Sequence, residues 1–205
     1  MNCDRTSSND VGGQIATALG YNLIFGCEFE EIYSPLRKPE DQGGGVSGSC
    51  ILSKYEFEIT RALIHKNQPV EWSLPGPIPH EPKRGLRITP FVTVKTPFGL
   101  VGCYCVHLEE YCGKLTRWFA APLMLCPGIE ARMEQFMEIM DDAAQLPAGM
   151  PIVIAGDFAT KAHGVARLSP WYCGDWLRLG SLGSSEADVC HFIVLLSFSF
   201  FLCVC

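Results

Sequence analysis

Two β-rich runs separated by a short Pro/Gly turn constrain the fold of this chain more than any other feature. The runs cover residues 88–95 and 100–108, and the turn between them reads Thr-Pro-Phe-Gly. Proline fixes one turn dihedral and glycine tolerates the positive φ of tight turns, so the runs are predicted to form a β-hairpin. A hairpin is stable only within a larger sheet or against a helix, and therefore the chain must supply further elements.

The segment from residue 129 to 146 carries the clearest helix pattern. Apolar residues recur at every third or fourth position and acidic residues lie between them, as in an amphipathic helix. Pro147 and Gly149 are predicted to end it. Residues 152–155 are then wholly apolar, which is typical of a short strand buried between layers. Together with the hairpin, these elements favour a layered α/β or α+β domain.

The first part of the chain contains the same kinds of element. Residues 10–19 have helix-like apolar spacing, with Asn9 or Asp10 as the N-cap and Gly20 at the end. The remaining predictions are strands over residues 21–29, 50–53 and 57–64, a Gly-rich loop over residues 34–48, and a Pro-rich connection over residues 69–82. No internal repeat is visible in the 205 residues, so one domain is expected.

Composition argues against several classes of protein. The chain is globular in type, with 48% hydrophobic and 19% charged residues, and its net charge of −6 lacks the basic footprint for tight binding to long nucleic acids. A local basic strip is still compatible with that charge. The polar opening MNCDRTSSND contains no secretory signal, which favours an intracellular, cytoplasmic location. Eleven cysteines, an odd number, are expected to stay reduced there, and no disulfide is predicted.

The end of the chain, residues 192–205, is almost wholly apolar. A helix needs about 20 apolar residues to span a bilayer, so this run is short for a span. Three interpretations stay open: a tail produced by a truncated or misread reading frame, a core or surface segment, and a membrane anchor.

Asp157 follows the predicted apolar strand in the sequence VIAGDFAT. A carboxylate at the end of a strand can position water or a magnesium ion at the edge of a pocket. The alternative is an aspartate that caps the following turn. The sequence makes Asp157 a candidate catalytic residue and leaves that alternative open.

His107 ends the second strand of the predicted hairpin, and Glu109 follows on the same face if the strand continues. A histidine there can act as an acid, a base or a hydrogen-bond donor to phosphate, although a lone histidine is more often structural. Cys103, Cys105 and His107 alternate on one face, which suggests zinc, but no CxxC pair or second cluster completes four ligands. His107 is the second candidate catalytic residue, and no metal ligand is assigned.

Several blocks, taken in order, resemble the endonuclease/exonuclease/phosphatase family. They are GVSGSCILSK at residues 45–54, VHLE at residues 106–109, a helix with Arg132 three residues before Gln135, and GDFAT at residues 156–160. The corresponding blocks of the family are GNAILSR, a strand ending in HLD or HLE, an RxxQ helix, and GDFN. With a further similar segment over residues 14–32, the likeness covers roughly residues 9–167.

This resemblance implies a four-layer fold in which two sheets pack face to face with helices outside. The family domain would be partial and cover residues 1–180, with the apolar tail at residues 189–205. The implied reaction is a magnesium-assisted attack of water on a phosphodiester or phosphomonoester. Asp157 would orient or deprotonate the water, and His107 would support the phosphate or the other catalytic groups. Arg132 and Gln135 would pack or pair structurally.

The chain also departs from the family pattern. The family's first strands with their metal-binding glutamate, and its last Ser-Asp-His strand, find no counterpart, so the domain is expected to be incomplete at both ends. Asn2 takes the place of that glutamate if residues 2–4 correspond to it, and Ser49 and Ala159 each take the place of an asparagine. Activity is therefore expected to be low or absent, and magnesium is expected only with a complete site.

Three hypotheses about function follow. The chain is a fragment of a metal-dependent phosphoesterase, an inactive relative that serves as a binding or regulatory module, or a membrane-associated protein held by its tail. The substrate is open among nucleic acids, lipids and small phosphoesters, and the acidic charge leans towards the last two. The sequence predicts no oligomeric state.

Overall fold

The computed structural model describes residues 9–35, 38, 42, 44–73, 83–109 and 127–159. These residues form two helices and seven strands. In chain order the elements are α1 (Val11–Leu19), β1 (Asn22–Glu31), β2 (Val46–Ser53), β3 (Phe57–Ile64), β4 (Lys83–Gly85), β5 (Ile88–Thr96), β6 (Gly99–His107), α2 (Pro127–Ala144) and β7 (Ile152–Asp157).

The strands form two sheets that face each other. In the three-stranded sheet, β1 lies between β2 and β4 and is antiparallel to both. The four-stranded sheet has the order β3-β5-β6-β7, with β6 and β7 parallel and the other neighbours antiparallel. Cys105 Sγ on β6 lies 3.7 Å from the carbonyl oxygen of Cys50 on β2. The two sheets are therefore in direct contact.

Helix α2 covers the outer face of the four-stranded sheet. The buried core between them consists of Phe91, Tyr104, Val106 and Leu108 from the sheet side and Phe136, Ile139 and Ala143 from the helix. Polar contacts reinforce this packing, because Asp142 pairs with Arg61 on β3 and accepts a hydrogen bond from the Tyr104 hydroxyl. Burial raises the pKa of Tyr104, so its hydroxyl stays a donor. α1 contacts β1, which follows it in the chain, and Ala16 is the buried residue of this helix.

This architecture confirms the predicted α+β fold class with two facing sheets. The hairpin is confirmed as β5 and β6, which pair up to Thr96 opposite Gly99, and Gly99 has a φ of 120° that favours glycine. The long amphipathic helix and the short first helix are confirmed, with small differences at their ends.

One loop prediction is wrong at its end. The Gly-rich stretch over residues 34–48 gives way to β2 at Val46, which pairs with β1. Glycine normally indicates a turn, yet Gly48 belongs in this strand because a Cβ there would meet the backbone of Gly26 and Glu28. The sequence gives no sign of β4, because its three residues are too few for a periodic pattern.

The apolar strand predicted at residues 152–155 is present as β7, but its residues are half-buried rather than buried. β7 is the outermost strand of its sheet among the described residues, so one edge has no neighbouring strand in that part of the chain.

The structure describes no helix that is long and apolar enough to cross a bilayer. The predicted tail at residues 189–205 and the segment at residues 2–4 lie outside the described ranges. The domain boundary at residue 180 lies outside them as well.

Candidate active site

His107 and Asp157, the two residues that the sequence singles out, are neighbours at one edge of the four-stranded sheet. Each is the last residue of its strand, and the parallel register places His107 opposite Asp157. The N–H of Leu108 donates to the Asp157 carbonyl at 3.0 Å, which continues the pairing beyond the strand end. Neighbouring strands are about 4.8 Å apart, so one small ligand can reach both side chains.

Asp157 is exposed at this edge. Its Oδ1 accepts a hydrogen bond of 2.7 Å from the backbone N–H of Ala159. This is the turn cap that the sequence leaves open as an alternative. The cap fixes the direction of the carboxylate while the residue stays open to solvent, so capping and a catalytic role are compatible.

Gly156 is what allows β7 to approach β6 so closely. Its φ is 134°, and a Cβ at this position would meet the backbone of Val106. A larger residue would force the strand ends apart. Gly156 therefore sets the distance between the two candidate residues.

A buried glutamate that sequence reasoning missed lies beside His107. Glu28 on β1 is 3% exposed. Cys27 pairs with Gly48 and Phe29 pairs with Ser47, so Glu28 is the extra residue of a β-bulge. Bulges take a side chain out of the regular alternation and are frequent next to active sites. Here the bulge directs the carboxylate of one sheet towards the histidine of the other.

The backbone of Glu28 is enclosed on both sides by glycines. A Cβ at Gly48 on β2 would meet the Glu28 nitrogen, and a Cβ at Gly85 on β4 would meet the Glu28 carbonyl oxygen. That carbonyl accepts a hydrogen bond of 3.0 Å from the N–H of Leu86. The bulge is therefore held by close backbone packing.

Glu28, Ser49, Arg87, His107 and Glu109 form one polar network, the His107 cluster. Ser49 Oγ donates to Glu28 Oε1 at 2.8 Å. Arg87 Nη1 lies 3.3 Å from Glu28 Oε2 and 2.8 Å from His107 Nε2. Arg87 Nε lies 3.8 Å from Glu109 Oε2. One buried guanidinium thus lies between two buried carboxylates, and the cluster joins the two sheets.

The contacts of His107 determine which of its nitrogens carries the proton. A guanidinium only donates, so Nε2 accepts from Arg87 and the ring proton is on Nδ1. Nδ1 lies 3.1 Å from Glu28 Oε2 and donates to that carboxylate. The His107 side chain is nevertheless 31% exposed. The ring is oriented from both sides and still reaches solvent.

Arg132 and Gln135 on α2 fix the segment that follows His107. Gln135 Oε1 accepts from the N–H of Glu109 at 2.9 Å, and Arg132 Nη1 donates to the Glu109 carbonyl at 2.9 Å. Both side chains are buried. These contacts agree with the structural role that the family resemblance implies for them.

A second histidine forms a separate group, the His65 cluster, with Thr89 and Glu138. His65 Nδ1 lies 3.0 Å from Glu138 Oε2, and Nε2 lies 2.9 Å from Thr89 Oγ1. Its side chain has no exposed surface, and burial lowers its pKa. This cluster has no opening for a ligand on the histidine, so its role is structural.

Glu28 and Arg87, the two residues of the site that sequence reasoning missed, lie in different local sequence contexts. Glu28 lies between Cys27 and Phe29 within a β-rich run, but Glu30 in the same run is exposed, so an acidic residue there does not by itself indicate burial. Arg87 lies in a short link between strands and carries no local signal. Its position depends on contacts that only the folded chain creates.

The described residues do not fit the magnesium site that the resemblance implies. No group of three or more His, Cys, Asp or Glu side chains in the described part of the chain could hold a metal ion. In the His107 cluster, the Arg87 guanidinium already balances the charge of Glu28. The zinc alternative gains no support either, because Cys105 contacts Cys50 on the facing sheet.

Comparison with known proteins supports the fold. No family model and no curated protein matches the chain. Among solved structures, it is similar to the crystal structure of an endonuclease/exonuclease/phosphatase from Beutenbergia cavernae DSM 12333, with a TM-score of 0.50 and 20% sequence identity. The match covers 87% of this chain and 38% of that one, so this chain spans well under half of that structure. At this identity the likeness shows a shared fold.

Proposed function

We propose that this chain is part of a phosphoester hydrolase domain of the endonuclease/exonuclease/phosphatase type, with His107 and Asp157 in its active site. The fold likeness supports the domain type. The observation that carries the proposal is the position of both side chains at adjacent strand ends, beside the guanidinium of Arg87. An acid–base group, a carboxylate and a buried cation are the groups that phosphoester hydrolysis uses.

In the proposed reaction, water attacks phosphorus, the ester P–O bond breaks, and the alcohol leaves with a proton from solvent. Asp157 orients the water and accepts its proton, because its carboxylate is exposed and fixed by the turn at Ala159. His107, on the neighbouring strand, supports the other catalytic groups, because its Nε2 accepts from the Arg87 guanidinium and its Nδ1 donates to Glu28. Arg87 supplies positive charge behind His107, where a buried donor needs little reorganisation.

The proposed substrate is a small or lipid phosphoester rather than a long nucleic acid, because the net charge of −6 opposes binding to a polyanion. The proposed location is intracellular. Magnesium belongs to the proposal only if ligands beyond the described residues complete its site, and hydrolysis measured with magnesium and with a chelator tests that requirement.

A second candidate function is phosphate binding without turnover, as in a regulatory relative. The observation that favours the absence of turnover is the state of the Glu28 carboxylate. Its oxygens are already engaged by Ser49, Arg87 and His107, so they are not available to hold a catalytic metal ion. Such a domain would bind inorganic phosphate in calorimetry and release no alcohol from any phosphoester.

The test is hydrolysis of bis(4-nitrophenyl) phosphate and of 4-nitrophenyl phosphate, each with magnesium and with a chelator. The first substrate reports diesterase activity and the second monoesterase activity. The assay is run on this chain and on any longer form that its transcript encodes. His107→Ala and Asp157→Ala should each lower kcat by about a hundredfold or more, the usual contribution of a positioned acid or base.

Asp141→Ala is the matched control, because Asp141 is an exposed aspartate on α2. It should leave kcat unchanged. Turnover that persists in both the His107 and Asp157 variants would place the reaction elsewhere. Absence of turnover in every form, combined with cooperative unfolding of the chain, would favour the phosphate-binding alternative.

A further inference from the structure

Arg87 lies in the link between β4 and β5, one residue before β5 begins, and its carbonyl accepts a long hydrogen bond of 3.4 Å from the backbone N–H of His65. Its main chain is also held on both sides by one side chain. Gln68 Oε1 accepts from the N–H of Arg87 at 3.0 Å, and Gln68 Nε2 donates to the carbonyl of Arg87 at 2.9 Å. The amide of Gln68 thus makes the two hydrogen bonds, to the N–H and to the carbonyl of one residue, that a neighbouring β-strand would make.

We infer that Gln68 is a positioning residue for Arg87 and, through Arg87, for His107. Hydrogen bonds to both the N–H and the carbonyl of one residue restrict its backbone dihedrals and so fix the direction of its side chain. The side chain of Arg87 is long and has many rotamers, yet Nη1 must reach Glu28 and His107 together. This inference rests on the proposed function only in treating His107 as part of the active site.

The loop that carries Gln68 is itself anchored to α2. Gln135 Nε2 donates to the carbonyl of Asn67 at 2.9 Å, while Oε1 of the same side chain accepts from the N–H of Glu109. Gln68 Nε2 also lies 2.9 Å from the carbonyl of His65. The buried amide of Gln135 therefore holds the backbone next to Gln68. The same amide also holds the backbone of Glu109, whose carboxylate lies beside the Arg87 guanidinium.

The half-buried location of Gln68 makes the inference testable by substitution. Gln68→Met keeps the length and bulk of the side chain. It removes both hydrogen bonds to Arg87 and also the one to the His65 carbonyl. Gln68→Glu keeps the acceptor for the Arg87 N–H and loses the donor to its carbonyl. Gln145→Met is the matched control, because Gln145 is exposed just after α2 and its side chain donates to the carbonyl of Asp141, four residues earlier.

The experiment follows the ring nitrogens of His107 and His65 by NMR in the whole chain. In Gln68→Met, the Nε2 resonance of His107 should shift to that of a ring nitrogen that has lost its donor. The ring resonances of His65 should stay in place, because Thr89 and Glu138 hold that ring. Gln68→Glu should shift the same His107 resonance, because its second carboxylate oxygen would face the carbonyl oxygens of Arg87 and His65. Hydrogen exchange at the Arg87 amide in Gln68→Met should accelerate about tenfold.

An unchanged His107 resonance together with faster exchange at the Arg87 amide would overturn the inference. Gln68 would then hold the main chain of Arg87 without affecting His107. Equal shifts at both histidines would also overturn it, since they would indicate a general change of the fold. If Gln68→Met does not fold, the Gln68→Glu resonances decide between the same outcomes. These readouts need no catalysis, so a chain without turnover would refute the proposed function and leave this result standing.

Discussion

His65 and His107 are hydrogen-bonded at both ring nitrogens, and yet they occupy opposite kinds of environment. His65 is closed off from solvent between a hydroxyl and a carboxylate. His107 lies between a carboxylate and a guanidinium, and about a third of its surface is open. The number of hydrogen bonds does not separate a structural histidine from a candidate functional one. Access to solvent and the charge of the partners do.

The two clusters also differ in how their charges are balanced. The His107 cluster holds two carboxylates around one guanidinium in a buried place, whereas the carboxylate of the His65 cluster is partly exposed. A buried charge that loses its partner has no water to replace it. The same kind of substitution should therefore have very different effects in the two clusters.

The largest effect is expected from Arg87→Met. This change leaves Glu28 and Glu109 buried without their shared cation, and removal of one partner from a buried ion pair costs about 3 to 5 kcal/mol. The free energy of unfolding, measured by urea denaturation, should fall by that amount. Arg84→Met is the matched control, because the Arg84–Glu30 pair is mostly exposed, and it should change the value by less than about 1 kcal/mol.

A decrease of similar size in both arginine variants would contradict the proposed difference between buried and exposed charges. It would mean that Glu28 and Glu109 find solvent or a proton when Arg87 is absent.

A smaller effect is expected from Gly156→Ala, which acts on the His107 side of the comparison and leaves the His65 cluster untouched. The residue has a φ of 134°, and the new Cβ would meet the backbone of Val106. Strained backbone of this kind costs about 1 to 3 kcal/mol. The urea midpoint should fall, and the amide resonances of His107 and Asp157 should shift.

Gly149→Ala separates the two causes. Gly149 also has a positive φ, 82°, but an added Cβ would meet nothing within 4 Å. It should therefore destabilise the chain less than Gly156→Ala. An equal loss in both variants would show that close packing of β7 on β6 is not the reason for the glycine.

The smallest effect is a pH dependence that belongs to His65. Burial lowers the folded-state pKa of His65 below its ordinary value of 6.5, so the unfolded chain binds a proton more readily. The stability contribution is complete above pH 6.5 and is lost as the pH falls through the lower folded-state pKa. Urea midpoints at pH 7.5, 6.5 and 5.5 should decrease in that order, and less steeply in His65→Gln. An identical slope in the variant would assign the dependence to another group.

The sequence predicts the elements that carry their own local signal. The β5–β6 hairpin follows from Pro97 and Gly99, and α2 follows from its apolar period. His107 and Asp157 can be singled out because each ends a predicted strand. They become neighbours because β6 and β7 pair in parallel. The sequence alone does not predict that pairing.

The rest of the candidate site depends on non-local contacts. Glu28 reaches His107 because a bulge takes it out of the strand alternation, and no local pattern announces a bulge. Arg87 and Gln68 are joined through a loop and a link that carry no periodic signal. Gly48 is predicted as part of a loop because glycine is typical of turns. In the structure it lies in β2, where its small size allows close packing against β1.

The parallel pairing of β6 with β7 has a consequence for the order of events during folding. The β5–β6 hairpin closes over a four-residue turn, but β7 meets β6 only after a crossover that includes α2. Contacts between residues far apart in sequence require costly loop closure and tend to form late. We therefore expect the β5–β6 hairpin to form early in the folding reaction. The Glu28 and Asp157 carboxylates, 79 and 50 residues from His107 in the chain, should reach it in later steps.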